Sequence, residues 1–377
     1  MGRVSSAAQP ELAGIHGQVI DSDAHIGEPP DLWARSLPKE LADRAPRAVL
    51  EPDGRMRWRI DGRLTPALPR WMAPGPGGTR VPYVPRPGLR DAEAHLRDMD
   101  LEGIRQAILY PGVGLVFAAI EDPVLATACC RAYNDWLAEH CQAAPGRLFG
   151  AAALPLQDVD AAVAELTRAV ESLGMKTGYI RPNPIAGRVL HDPAHDALWR
   201  RAAELGVPIA IHEGTTRTCP TVGAERVEDQ PFLFLHMLSH PFEQMLACLS
   251  LIGGGVLERF PTLRVVFLES GSAWTVYWLA RMDEHFEAWG YTCPELATRP
   301  SELFRRQCFV STDPEDHVVA ATLAHVGEDC VVWASDYPHP DAICPGAVEA
   351  TLGDPALTPI QKRKLLVDNA RRLYALS

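Results

Sequence analysis

Six side chains that can hold a metal ion or a proton stand at the ends of five short apolar runs. The runs are Val19-Ile20-Asp21-Ser22-Asp23-Ala24-His25, Val207-Pro208-Ile209-Ala210-Ile211-His212, Val265-Val266-Phe267-Leu268-Glu269, Phe309-Val310-Ser311-Thr312-Asp313 and Val331-Val332-Trp333-Ala334-Ser335-Asp336. A buried parallel strand reads as a near-continuous Val/Ile/Leu run, and side chains at the carboxyl ends of such strands converge on one mouth. Asp23 and His25 are two apart, so an extended chain points both the same way and one strand offers two metal bonds. His212 and Asp336 end later runs. Two imidazoles with one or two carboxylates make an open site for a divalent ion, which lowers the pKa of bound water to about 7 and polarises a carbonyl. The expected ligands are therefore Asp23, His25, His212 and Asp336, with Asp336 also taking the water's proton through its second oxygen.

The elements that must position these groups alternate along the chain. Strands are expected at about 17–22, 104–110, 148–154, 177–181, up to His212, up to Glu269, 308–311 and up to Asp336, with helices between them. Asp91, Asp122 and Asp158 stand at helix starts and Gly103 at a helix end. A long helix is placed from about Pro241 to Arg259, another over Trp274–Trp289, and a last one over about 358–375. Eight strands each followed by helix predict an α/β fold, a (β/α)8 TIM barrel. An open doubly wound sheet is the alternative, but no Gly-x-Gly-x-x-Gly follows the first strand. From about 28 to 90 the text turns rich in Pro, Gly and Trp, a Pro/Gly/Trp-rich insertion after strand 1. It is read as an irregular excursion with one small hairpin near Met56-Trp58-Ile60, in which Trp33, Trp58 and Trp71 are candidates for flat walls around a substrate.

Composition narrows the classes. The 377 residues fit one barrel domain over 1–377 with that insertion, and a hydrophobic content of 47% supplies a sizeable core. A formal charge of -12 and the lack of a basic stripe argue against nucleic acid. No apolar stretch approaches the roughly 20 residues of a membrane span, and no secretory signal is visible, so a cytoplasmic location is expected. The nine cysteines are scattered and read as free thiols.

With the segments Ile211-His212-Glu213-Gly214, Gly254 to Val266 and Ala334-Ser335-Asp336-Tyr337-Pro338-His339 added to the first run, the chain resembles the amidohydrolase superfamily. Within it, the likeness is to the branch containing aminocarboxymuconate semialdehyde decarboxylase and related metal-dependent hydrolases. The resemblance implies a mononuclear divalent ion, zinc first and manganese or iron as alternatives, held by Asp23, His25, His212 and Asp336; it also implies a homodimer. Two departures matter. Relatives begin with His-x-His or Glu-x-His where this chain has Asp23, and decarboxylating relatives carry a histidine after strand six where this chain has Glu269. A carboxylate cannot play the imidazole's cationic role. The sequence therefore puts hydrolysis of an amide, ester or C–C bond in a small aromatic or conjugated substrate first. Cyclodehydration in an aromatic natural-product pathway, non-oxidative decarboxylation and a metal-free binding scaffold follow. Catalytic candidates are Asp336, Glu269 and His240; substrate-binding candidates are Arg181, Trp274 and His339. His236 is read as structural, and Glu28, Arg217 and Asp283 are further candidates.

Overall fold

Val19–Ile26 (β1), Thr177–Ile180 (β4), Ile209–His212 (β5), Val265–Leu268 (β6), Cys308–Thr312 (β7) and Val331–Trp333 (β8) are buried at every residue. Ile104–Pro111 (β2) and Leu148–Ala153 (β3) are buried at all but one. This is what strands covered on both faces require, and their Val/Ile/Ala content satisfies it. The structure, a computed structural model, describes residues 12, 14–52, 55–65, 71–74, 79–214, 219–314 and 316–377.

The eight strands pair in chain order, all parallel. The ring closes beyond the end of β8, where a bridge joins Ala24 to Tyr337: the His25 amide donates to Tyr337 O at 2.6 Å and the Asp336 amide to Asp23 O at 3.0 Å. Helices fill the crossovers, giving the expected (β/α)8 barrel. Ala92–Glu102 (α1), Pro123–Cys141 (α2) and Val159–Glu171 (α3) start at Asp91, Asp122 and Asp158, whose side chains accept from helix amides. Gly103 ends α1 at φ 77°, a conformation open to glycine. Asp196–Leu205 (α4), Phe232–Gly253 (α5), Trp274–Trp289 (α6), Pro300–Gln307 (α7) and Val319–Val326 (α8) complete the main ring.

Three expectations are corrected. β1 runs on to Ile26, so Asp23 and His25 lie inside the strand, and its register with β2 slips between Asp21 and Ala24. The helix expected from Pro241 begins at Phe232, with Pro241 inside it. Proline is tolerated at a helix start but does not mark one, and the apolar text before it continues the helix. Sequence reading also missed α7 and a helix over Ala347–Gly353.

The 28–90 segment holds more order than a single hairpin. Arg47–Leu50, Met56–Ile60 and Arg63–Leu64 form an antiparallel three-stranded sheet, and Met72–Pro74 pairs with Arg80–Pro82. Gly75 to Gly78 lie outside the described residues. Trp33 is no substrate wall: it is fully buried, donates from Nε1 to Cys129 O and meets the Phe117 ring edge-on. Trp58 packs partly buried on the core, and Trp71 meets Phe232 edge-on.

Candidate metal centre

The inner face of β1 supplies Asp23 and His25, the last residue of β5 is His212, and Glu269 and Asp336 follow β6 and β8. Glu269 and Asp336 both adopt φ 55°, the left-handed region that branched or long side chains rarely enter. Backbone strain of this kind persists where the surrounding structure forces it, and here both turns swing a carboxylate toward the barrel mouth.

One ligand atom each from Asp23, His25 and His212 lie within 4.8 Å of one another, and so do His25, Asp336 and His339. His212 Nε2 is 3.2 Å from Asp23 Oδ2, His25 Nε2 is 3.6 Å from Asp23 Oδ1 and 3.4 Å from Asp336 Oδ1. Two donors bound about 2.1 Å from one ion stand roughly 3.0 to 3.5 Å apart, close to these spacings. The tautomers agree. His25 Nδ1 faces Pro111 O at 3.0 Å and His212 Nδ1 faces Glu213 O at 2.5 Å, so each carbonyl fixes a proton on Nδ1 and leaves Nε2 as the donor facing the centre. His25 Nε2 is buried and makes no hydrogen bond, an orphan that a cation would satisfy. The residues present fit a divalent ion.

The surrounding charges act on one another. Burial pushes Asp336 up to about 7 despite His339, whose Nδ1 lies 2.7 Å from Asp336 Oδ1; against its own burial, His339 is lifted to about 10 by that carboxylate. Burial works against the His212 cation too, yet Asp23 and Glu269 raise it to about 9. His25 is held well below the usual imidazole value, by burial first and by the neighbouring imidazoles second. Burial would raise Glu269, but His240, His212 and His339 hold it well below the carboxylate range.

The remaining sequence candidates divide. His240 reaches the mouth from α5, its Nε2 3.6 Å from Glu269 Oε1, because the helix starts early enough to bring it in with His236 one turn behind. His339 stacks on His25 with ring centroids 4.1 Å apart. Trp274 opens α6 in the core, edge-on to Phe267. Arg181 is buried and spends its guanidinium on protein oxygens, which leaves little of its fork for a substrate carboxylate. Glu28 is likewise buried, accepting from the amides of Val113 and Gly114 at 2.9 Å. Asp283 is engaged by Arg299 and the Ser301 amide, and Arg217 lies outside the described residues.

Two contributors had escaped the sequence reading. Asp21 accepts from both the amide and the hydroxyl of Ser335, and Ser335 Oγ accepts from the Tyr337 amide at 3.0 Å, so Asp21 shapes the turn that carries Asp336. Its spacing of two from Asp23 was the available signal. Tyr83, near the end of the inserted segment, donates its hydroxyl to Pro338 O on the same turn.

A parallel barrel whose mouth gathers histidines and carboxylates from β1, β5, β6 and β8 has a side-chain set that could hold a metal ion. The family model described as amidohydrolase matches residues 78–376, and the chain belongs to that family. It is 28% identical over 273 residues to gamma-resorcylate decarboxylase of Polaromonas sp., covering 68% of this chain and 82% of that protein. It is 25% identical to 2-amino-3-carboxymuconate-6-semialdehyde decarboxylase of Dictyostelium discoideum, covering 77% of each. Among solved structures, an amidohydrolase of Mycobacterium avium subsp. paratuberculosis superposes with a TM-score of 0.82 at 25% identity, over 95% of this chain and 99% of that one. A dihydroxybenzoic acid decarboxylase of Polaromonas sp., solved with manganese and 2-nitroresorcinol, shares the fold with a TM-score of 0.70 at 20% identity, over 95% and 97% of the two chains. The named curated relatives are decarboxylases, whereas the sequence had put hydrolysis first.

Proposed function

We propose that this chain is a non-oxidative decarboxylase of a small hydroxylated aromatic or conjugated acid, working with one divalent ion held by Asp23, His25, His212 and Asp336. The observation that carries the reading is the Asp336–His339 pair standing against His25, an acid–base couple adjoining the metal-binding triad. Manganese is favoured over the zinc first expected, because Asp23, Asp336 and the adjoining Glu269 make the centre rich in oxygen, and the Polaromonas decarboxylase holds manganese. The argument from Glu269 against decarboxylation loses its weight, since His240 and His339 bring imidazoles to within 3.6 and 3.8 Å of that carboxylate.

When bound, the ion supplies positive charge against which an acidic substrate docks and toward which its electrons are drawn. The chain's own groups handle the proton. Asp336 and His339, with Oδ1 and Nδ1 2.7 Å apart, supply one to the ring carbon that bears the carboxylate. The bond from that carbon to the carboxylate then breaks, its electron pair returns to the ring, and carbon dioxide leaves. Glu269, facing His212, His240 and His339, holds those imidazoles in place.

The test is incubation of the manganese-loaded protein with 2,6-dihydroxybenzoate and related hydroxybenzoates in D2O. Carbon dioxide release with one deuterium entering the vacated ring position, lost on chelation and restored by Mn2+, is expected. Turnover of an amide or ester by the same protein with no carbon dioxide formed would return the hydrolytic reading to first place.

A further inference from the structure

We infer that Arg181 is a positioning residue for the metal centre: it fixes the peptide that orients His212, and it does not bind substrate. The inference rests on the proposed metal reading only for its affinity measurement. Arg181 is 2% exposed and follows β4 directly. Its Nε donates to Asn183 Oδ1 at 2.9 Å, Nη1 to Leu115 O at 2.9 Å and to Gly214 O at 3.0 Å, and Nη2 to Glu213 Oε2. Guanidinium has five N–H donors in a rigid fork, so these four bonds commit most of it to protein oxygens.

Two of those acceptors flank one carbonyl. The Glu213 side chain and the Gly214 carbonyl lie on either side of Glu213 O, and Glu213 O receives His212 Nδ1. Gripping both neighbours fixes where that carbonyl points. The carbonyl in turn sets the ring angle that aims His212 Nε2 at Asp23. The approach is close: a Cβ on Gly214 would stand 3.0 Å from Leu115 Cδ1 and 3.3 Å from Arg181 Nη1, so only glycine gives the fork full room. Asn183 is itself tied to Pro220 O at 2.8 Å, joining the segment beyond. A fully buried ion pair contributes little to net stability compared with apolar residues of the same volume, so its presence beside a ligand calls for a positional reason.

The test uses the full chain, stripped of metal and free of substrate, and follows Mn2+ binding by the EPR signal of the free ion. Arg181→Met combined with Glu213→Gln removes both buried charges at similar volume, and Arg181→Lys keeps the charge but not the fork. Losing the partner of a ligating imidazole outright weakens metal binding roughly 10- to 100-fold; both variants keep the Glu213 carbonyl but release its direction, so weakening of about 10-fold, the lower end, is expected in each at a melting temperature near the parent's. Mn2+ affinity within twofold of the parent in a folded variant would overturn the inference. Should the double variant fail to fold, Arg181→Lys decides alone. A parent that binds no Mn2+ sinks the metal reading instead. The orientation of His212 is then read from its low-field Nδ1–H proton resonance, which should be present in the parent and lost in Arg181→Lys, and whose survival would overturn the inference.

Discussion

Glu269 shows how much a single residue's meaning depends on neighbours that are remote in sequence. As a letter after an apolar run it is a carboxylate that the sequence alone sets against decarboxylation; in the fold, three imidazoles from β5, α5 and the turn after β8 surround it. Glu269→Gln keeps the shape and removes the charge. Turnover should fall roughly 10- to 100-fold, the usual worth of an outer partner that holds such imidazoles in place, with manganese still bound; unchanged turnover would make Glu269 a bystander. The strand-end residues were legible because period-two and run-end patterns are local, and the structure brings Asp23, His25, His212, Glu269, Asp336 and His339 into one cluster. The fate of Arg181 was not, since the carbonyls of Leu115 and Gly214 that consume it come from other crossovers. A buried histidine of α1 gives a pH dependence. Burial holds His95 down to about 4, against an ordinary value of 6.5, while its Nδ1 meets Gly88 O. Between those values the unfolded chain binds a proton that the folded chain refuses. This residue's contribution is thus complete above pH 6.5 and is lost as pH falls toward 4, a span of about 3 kcal/mol. His95→Asn, which can still donate to Gly88 O, should flatten the slope of unfolding free energy across that window in urea titrations; an identical slope would show that other groups govern it.

At the scale of elements, the turn after β8 is held from three sides. Asp21 of β1 grips Ser335, the Tyr83 hydroxyl reaches Pro338 O, and the Tyr337 hydroxyl donates to Asp98 at 2.5 Å on α1. Arg86, near the end of the inserted segment, completes this clamp with a two-pronged bond to Asp98 at 2.6 and 2.9 Å. The insertion therefore does structural work on the candidate site, where its Pro/Gly/Trp text suggested only walls around a substrate. Gly88 lies in the short turn Pro87–Leu89 between Arg86 and α1, and a Cβ there would collide with Tyr337 Oη and stand 2.9 Å from His95 Cα. Gly88→Ala should cost about 1–3 kcal/mol of stability by overpacking. It should also lower turnover, because Tyr337 must leave Asp98 and drag the Asp336 turn with it. Tyr337→Phe, which removes the hydroxyl clash but not the backbone contact with His95, should recover part of the stability and none of the turnover; recovery of both would place the damage elsewhere. Elements were legible where strand runs and caps are strong signals, as with Asp91, Asp122 and Asp158. They were misread where one residue type carries two meanings, as Pro241 does inside α5.

For the molecule as a whole, the eight-strand order was legible from alternation alone, since parallel strands need crossovers and chain-order pairing is the simplest closure. What alternation could not reveal is the outside of α5. Its inner face delivers His240 to the mouth, while Leu233 and Met237, 62% and 64% exposed, stand outward with Phe234, Phe242, Leu246 and Leu249 also exposed on the same helix. Single exposed apolar residues are ordinary; six along one helix form the kind of surface that marks a contact. Two copies of this chain meeting there would bury it and, by bracing the helix that carries His240, link assembly to the site. Charge opposes that meeting, because each copy carries a formal net charge of -12. Raising salt from about 0.01 to 0.15 M shortens the screening length from about 30 to 8 Å, so a dimer formed through this face would tighten with salt instead of dissociating. Sedimentation equilibrium of the full chain should give a dimer that strengthens over this range, and Leu233→Glu with Met237→Glu should shift it to monomer while melting near the parent. A parent that stays monomeric at high micromolar concentration in 0.15 M salt would leave the apolar face of α5 without this role.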